Sequence, residues 1–293
     1  MEDFQRFRVQ PGEKVKLHRL DPGEVPQGMT KDQAEGMLQT LLQELGRLQY
    51  RLYAEHRQGL LVVLQGIDGA GKDGTIRHVM TGMNPAGCVV TSFKEPTRPE
   101  LDHDFLWRVH PHAPAKGDVA VFNRSHYEDV LVVRVHQLVP KEVWSSRYAL
   151  IRDFEHLLRA EARTTVVKFF LHISKDEQLK RFEQRLEDPE RQWKIAESDY
   201  TERERWDDYI EAYQDALSET STEHAPWYVV PADKKWVRNL LVSRVLVETL
   251  KSMDIRPPEP TVDLHRIRAA FHQATSEGSK GKDPKSGRKG KKP

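Results

Sequence analysis

Hydrophobic positions along the chain follow two rhythms. From Lys31 to His56, Met37, Leu41, Leu45, Leu48 and Leu52 recur at mostly three- and four-residue spacing, which lays one apolar stripe along a long helix. Leu60-Leu-Val-Val-Leu64 then runs without interruption, the pattern of a strand buried on both faces of a parallel sheet. Runs of the same kind lie at Cys88–Phe93, Asp118–Asn123, Thr165–Ile173 and Trp227–Val230. Helical patterns fall between them, at roughly Thr75–Met83, Leu101–His110, Lys141–Arg163, Lys175–Leu186, Thr201–Ser221 and Lys235–Lys251. Strand alternating with helix predicts an α/β fold on a doubly wound parallel sheet.

The flanks read differently. Residues 1–30 mix charges with Pro11, Pro22 and Pro26, which predicts an extended arm on the surface rather than a packed element. A domain over residues 31–275 follows, with a charged stretch near 175–200, centred on Glu187–Tyr200, that reads as a helical lid. Seven of the 46 basic residues but two of the 45 acidic ones lie between Ser276 and Pro293, so a basic, disordered tail is expected behind a slightly acidic body. A net charge of +1 argues against a specific nucleic-acid partner. The single cysteine, Cys88, excludes an intrachain disulfide. No basic-then-apolar leader opens the chain, and its longest aliphatic run is far short of the ~20 residues that span a bilayer, so a cytoplasmic protein without a membrane partner is expected.

Gly66-Ile-Asp-Gly-Ala-Gly-Lys72-Asp73 follows the first buried strand and opens a helix, as the phosphate-loop pattern GxxxxGK[ST] requires. Glycines 66, 69 and 71, with Ala70 and Gly74 beside them, allow a backbone nest whose N–H groups converge on an anion while Lys72 reaches across it. The departure is Asp73, which stands where a Ser or Thr hydroxyl would meet Mg²⁺. Asp68 places a carboxylate inside the loop. It either binds Mg²⁺ through water, orients a phosphoryl group, or caps the helix. The nest would take a nucleoside triphosphate or a polyphosphate.

After the third strand comes Asn123-Arg-Ser-His-Tyr-Glu-Asp129, a charged run at the strand end where such sheets bind ligands. Together, GIDGAGKDGT, SFKEPTRPE, FNRSHYEDV, the Arg-rich lid and PADKKWVRN resemble the family-2 polyphosphate kinases over about Leu60 to Leu250. The resemblance implies a P-loop kinase fold of the thymidylate-kinase-like type. It also implies reversible, Mg²⁺-dependent phosphoryl transfer (Mn²⁺ as a substitute) between inorganic polyphosphate and AMP or ADP, giving ADP and ATP. NRSHYED looks like the AMP- and ADP-accepting subgroup, with Glu128 where the other subgroup has Asn, and a dimer or tetramer is implied.

Phosphoryl transfer asks for positioning and charge neutralisation, so it needs an anion nest, metal ligands and several cations. Asp68 and Asp129 are the candidate metal ligands. Lys72, Arg124, Glu128 and the lid's Arg181 and Arg185, one helical turn apart, complete the catalytic set. Lys94, Arg98, Arg134, Lys234 and Lys235 are candidates for a basic track along the polyanion. The alternatives are an ATP-dependent nucleoside monophosphate kinase, which would carry Ser or Thr at position 73, and a P-loop module that binds polyanions through its basic tail.

Overall fold

The computed structural model describes residues 4–280, with side chains to 275; the basic tail beyond Lys280 lies outside the described residues. They form two units, one ending at Arg256 and one beginning at Pro257. The second contains one helix, α10 (Leu264–Lys280), on which Leu264, Ile267 and Phe271 recur at helical spacing. Ser276–Lys280, read from the sequence as tail, continue that helix.

In the first unit five strands, β1 (Gly59–Gln65), β2 (Cys88–Ser92), β3 (Val119–Asn123), β4 (Thr164–His172) and β5 (Trp227–Pro231), make one wholly parallel sheet in the order β2-β3-β1-β4-β5. Central β1 pairs Leu60 with Val119 on one side and with Thr165 on the other, and all seven of its residues are buried. The uninterrupted aliphatic run follows from that placement. β2 differs, because at the sheet's edge its Val89 and Val90 stay exposed.

The helices of this unit are α1 (Lys31–Glu55), α2 (Lys72–Val79), α3 (Arg98–Leu101), α4 (Val132–Val135), α5 (Lys141–Ala162), α6 (Lys175–Glu187), α7 (Glu197–Glu204), α8 (Trp206–Thr220) and α9 (Lys235–Ser252). α1 and α2 pack on α9, and α4 and α5 pack on α8, so the sheet lies between two helical groups. The apolar stripe of α1 is spent on this packing, with Leu41, Leu45, Leu48 and Leu52 buried. Thr30 and Gln33 fix its start through a capping box.

Three expectations change. The helix expected over Leu101–His110 is limited to Arg98–Leu101: Asp104 Oδ1 accepts the Leu106 amide at 3.0 Å, and the competing turn ends the helix. The pattern at Thr201–Ser221 divides at Arg205 into α7 and α8. The N-terminal arm is extended yet packed. Val9, Val15 and Leu17 are buried, Arg8 bridges antiparallel to Tyr228, and the Val9 amide donates to the Trp227 carbonyl at 2.9 Å.

Beneath the second motif lies a fully buried polar network. Lys168 Nζ donates to Glu155 Oε2 at 2.6 Å and to the Tyr127 hydroxyl at 3.0 Å, and that hydroxyl lies 2.9 Å from both Glu155 and Thr220. Burial pushes the Glu155 carboxyl up, but Lys168 and His126 outweigh it and hold the group below the usual carboxylate range. Glu155→Ala would strand the Lys168 ammonium in the core, and the expected loss is on the order of 3–5 kcal/mol in urea unfolding. Replacing both partners by Met should recover most of that loss, whereas equal losses in the single and double variants would mean the pair is not what holds this region.

Candidate functional site

Parallel strands put all their C-terminal ends at one edge of the sheet, and the phosphate loop and the second motif meet there. Gly66–Gly71 links β1 to α2. Gly71 sits at φ +99°, a conformation that strains any residue with a side chain, and a Cβ there would also push on the Arg238 guanidinium.

Every carbonyl of this loop is engaged. Gly66 O accepts Lys72 Nζ at 2.5 Å, Ile67 O accepts the Ala70 amide at 3.0 Å, and Asp68 O accepts Gln178 Nε2 at 2.6 Å. Gly69 O accepts Arg181 at 2.9 Å, Ala70 O accepts Arg181 at 3.1 Å and Arg238 at 3.3 Å, and Gly71 O accepts the Thr75 amide at 2.9 Å. Of the loop's own amides that of Ala70 is spent on Ile67 O, and beyond it the Lys72, Asp73 and Gly74 N–H groups of the first turn of α2 lack intrahelical acceptors, as an anion nest requires.

The charges beside the nest form a chain. Arg124 Nη2 lies 2.8 Å from Asp68 Oδ1, and Lys72 Nζ lies 3.6 Å from the same oxygen. Burial alone would raise the Asp68 carboxyl, but Lys72 and Arg124 hold it below the usual carboxylate range. Burial lowers the Lys72 ammonium, with Asp68 opposing. Asp68 does not cap α2, whose N-cap is Gly71 and receives no side-chain bond. Arg124 adopts φ +61°, rare for a residue with a side chain, and its amide returns to Leu64 O at 3.1 Å, so the chain turns sharply as it leaves β3.

Glu128 is half-buried, and desolvation raises its carboxyl against the pull of Arg124 and Lys72. Asp129 pairs with Arg147 at 3.2 Å, and burial pushes it up to about 6. Asp73 is exposed, accepts from Asn123 Nδ2 at 2.8 Å and lies 4.0 Å from Lys194, between α6 and α7. Lys94, on the loop after β2, and Arg98, the first residue of α3, stand exposed, and Arg108 pins the loop's backbone through a 2.6 Å bond to Lys94 O.

Four basic residues picked from the sequence are placed otherwise than on a phosphate track. Arg181 is buried and spends its guanidinium on the carbonyls of Gly69, Ala70, Ala232 and Asp233, so it shapes the nest from the carbonyl side. Arg185 is half-buried with its guanidinium over the Phe182 ring. Arg134 is committed to Glu211 and Asp215, each at 2.7 Å, and Lys234 donates to Gly23 O at 2.8 Å. Lys235 lies near Arg181 and Arg238, and its ammonium is lowered by burial and then by those neighbours. Sequence reasoning missed Gln178 and Arg238. Arg238 falls within PADKKWVRN on a helix face where Val237, Leu240 and Leu241 are buried, and a charge among apolar neighbours was the available signal. Burial and Arg181 lower its guanidinium to about 9.

A family profile described as Polyphosphate kinase 2 matches residues 28–258. The chain belongs to the polyphosphate kinase 2 family. It is 52% identical over 266 residues, 90% of this chain and 99% of the relative, to a protein of Meiothermus ruber named AMP/ADP-polyphosphate phosphotransferase. It is 48% identical, over 88% of this chain and 93% of the relative, to one of Rhodopseudomonas palustris named ADP-polyphosphate phosphotransferase. The crystal structure of polyphosphate kinase 2 from Arthrobacter aurescens TC1 superposes with a TM-score of 0.88 at 42% identity, covering 92% of this chain and 96% of that one. This chain is therefore a phosphotransferase of the kinase class, with a P-loop kinase fold. Among the described residues no helix is long and apolar enough to cross a membrane.

Asp129 supplies a test of the site's electrostatics. Its carboxyl titrates higher in the folded chain than in the unfolded one, so the folded form binds the extra proton between pH ~4 and ~6 and stability from this group falls as pH rises through that window. Asp129→Asn should flatten that slope and raise the urea midpoint at pH 7; an unchanged pH profile would show that Arg147 keeps the group ionised throughout.

Proposed function

We propose that this polyphosphate kinase 2 transfers a phosphoryl group reversibly between inorganic polyphosphate and adenine nucleotides in the cytoplasm, taking AMP to ADP and ADP to ATP. One observation carries the reading. The loop with all six carbonyls engaged opens an anion-binding nest beside the Lys72–Asp68–Arg124 chain of charges, at the same sheet edge as the second motif. The relatives' names support both acceptors.

The donor set suits Mg²⁺ that draws most of its ligands from substrate phosphates and water, because such a site needs only one or two carboxylates. Among the described residues no group of three potential ligands stands together. Asp68 is the carboxylate at the nest and would hold the ion, with Asp129 the second candidate on the neighbouring motif. Mg²⁺ supplies charge neutralisation on the phosphate oxygens when bound.

The chain's own residues account for the rest. Amides of the loop and of the first turn of α2 bind and orient the phosphates, and Lys72 and Arg124 meet charge that spreads over the oxygens as the phosphoryl group moves. Asp68 fixes both cations in place. The acceptor phosphate is already anionic near neutral pH, so no general base is needed. Lys94 and Arg98, exposed and unpaired through their side chains among the described residues, suit the outer part of a polyanion. Glu128, half-buried and within the field of Arg124 and Lys72, sets the choice of acceptor. The free Cys88 fits a reducing compartment.

The deciding experiment supplies purified protein and AMP with either long-chain polyphosphate or ATP as donor and follows ADP and ATP separately. Polyphosphate should drive formation of both, whereas activity with ATP alone would make the chain a monophosphate kinase. Lys72→Ala is expected to lower turnover roughly 10²-fold or more, and near-normal turnover would remove the nest from the mechanism. Glu128→Asn should move the ratio of kcat/KM toward ADP over AMP; an equal loss on both acceptors would assign Glu128 to the fold instead.

A further inference from the structure

β1 is aliphatic from Leu60 to Leu64 and then ends on an amide, Gln65. Gln65 is 0% exposed, and an amide held away from water costs free energy unless both its ends are met. Both are met, by partners far off in the chain. Gln65 Nε2 donates to Ser125 Oγ at 3.1 Å, and the Tyr213 hydroxyl of α8 donates to Gln65 Oε1 at 3.3 Å. One side chain thus joins segments that the sequence keeps 60 and 148 residues apart, at the position directly before the phosphate loop.

The partners fix which way the amide faces. Burial, and then Glu128, push the Tyr213 phenol well above its ordinary range, so the hydroxyl keeps its proton and donates. Phe170, opposite Gln65 on β4, holds the Tyr213 ring at a centroid distance of 4.4 Å. With Oε1 turned to Tyr213, the amide's two N–H groups face the second motif.

There they meet the turn that carries Glu128. Ser125 caps the short 3-10 turn His126–Asp129: its hydroxyl accepts the Tyr127 amide at 3.1 Å, and its carbonyl accepts the Glu128 amide at 3.0 Å. Burial raises the Glu128 carboxyl, and Arg124, Lys72 and then a hydrogen bond from Gln65 draw it down. Glu128 is therefore held twice by Gln65, in its backbone through Ser125 and in its side chain directly.

We propose that Gln65 is a positioning residue for acceptor choice, fixing the Ser125–Asp129 turn and the Glu128 side chain relative to the phosphate loop that begins at the next residue. It is fully buried and acts through Glu128, so the inference rests on the reading of Glu128 as the residue that sets the acceptor.

Steady-state kinetics on the full chain, with polyphosphate as donor, give kcat/KM for AMP and for ADP in four proteins: the parent, Gln65→Met, Glu128→Asn and the double variant. Gln65→Met keeps the length of the side chain and removes both hydrogen-bonding ends. It should move the ratio of kcat/KM toward ADP over AMP by roughly three- to tenfold, the worth of one or two hydrogen bonds. The double variant should move the ratio no further than Glu128→Asn alone, because two residues that act as one unit do not add. Tyr213→Phe removes a single hydroxyl and should move the ratio the same way by a smaller factor; it decides the matter if Gln65→Met folds poorly, an unmoved ratio counting against the proposal. Equal losses on both acceptors in Gln65→Met, or a full extra factor on top of Glu128→Asn, would overturn it and leave Gln65 as part of the core. A ratio that Glu128→Asn itself leaves unmoved would instead strike the reading of Glu128, and the proposal with it.

Discussion

A loop can present its amides to an anion only if its carbonyls are satisfied elsewhere, and that demand organises this structure. Six consecutive carbonyls need donors, and the chain recruits them from far away in sequence: Gln178 and Arg181 from α6, Arg238 from α9. Burial, and then the nearby Arg181, hold Arg238 far below its ordinary basicity. Burying like charges is costly. The nest is what they hold in place, and α6 and α9, the latter packed against the sheet and α2, must keep their positions to within hydrogen-bond tolerance.

The second motif solves a related problem by dividing its side chains between two environments. Arg124 turns toward Asp68 and the nest, while His126 and Tyr127, two and three residues on, enter the core and meet Glu155 and Lys168. The buried network thus fixes the backbone from below while Asp68 fixes Arg124 from above. A residue at φ +61° between these two anchors is held in a conformation it would seldom choose alone.

Much of this was legible in the sequence because it depends on local pattern. The strand runs of β1, β3, β4 and β5 read cleanly, since burial on both faces makes them mostly apolar, and the one charge inside them, Lys168 of β4, is paired in the core. The phosphate loop read cleanly too, because its spacing is fixed by backbone geometry. What escaped depends on pairing across the chain. Arg134 looks like a candidate for anion binding until Glu211 and Asp215 are brought beside it, and Arg181 looks like a free lid cation until the loop carbonyls are. The missing helix at residues 102–110 was decided by one aspartate bonding to its own backbone, a contest that periodicity does not register. The arm's apolar residues, Val9, Val15 and Leu17, are too few and too widely spaced to announce packing.

The arm has a consequence for how the chain is made. Arg8 and the main chain around Glu223 and Tyr228 are joined across a separation of 215 residues at the Arg8–Glu223 bond, and β5 is the last strand of the sheet to be synthesised. Contacts that distant carry the largest loop-closure cost and form late. The arm, made before the sheet, must therefore wait for nearly the whole domain before it has a partner, and when it docks it covers part of a strand edge that would otherwise offer free backbone groups to neighbouring chains. The arm is made before the sheet whose edge it closes.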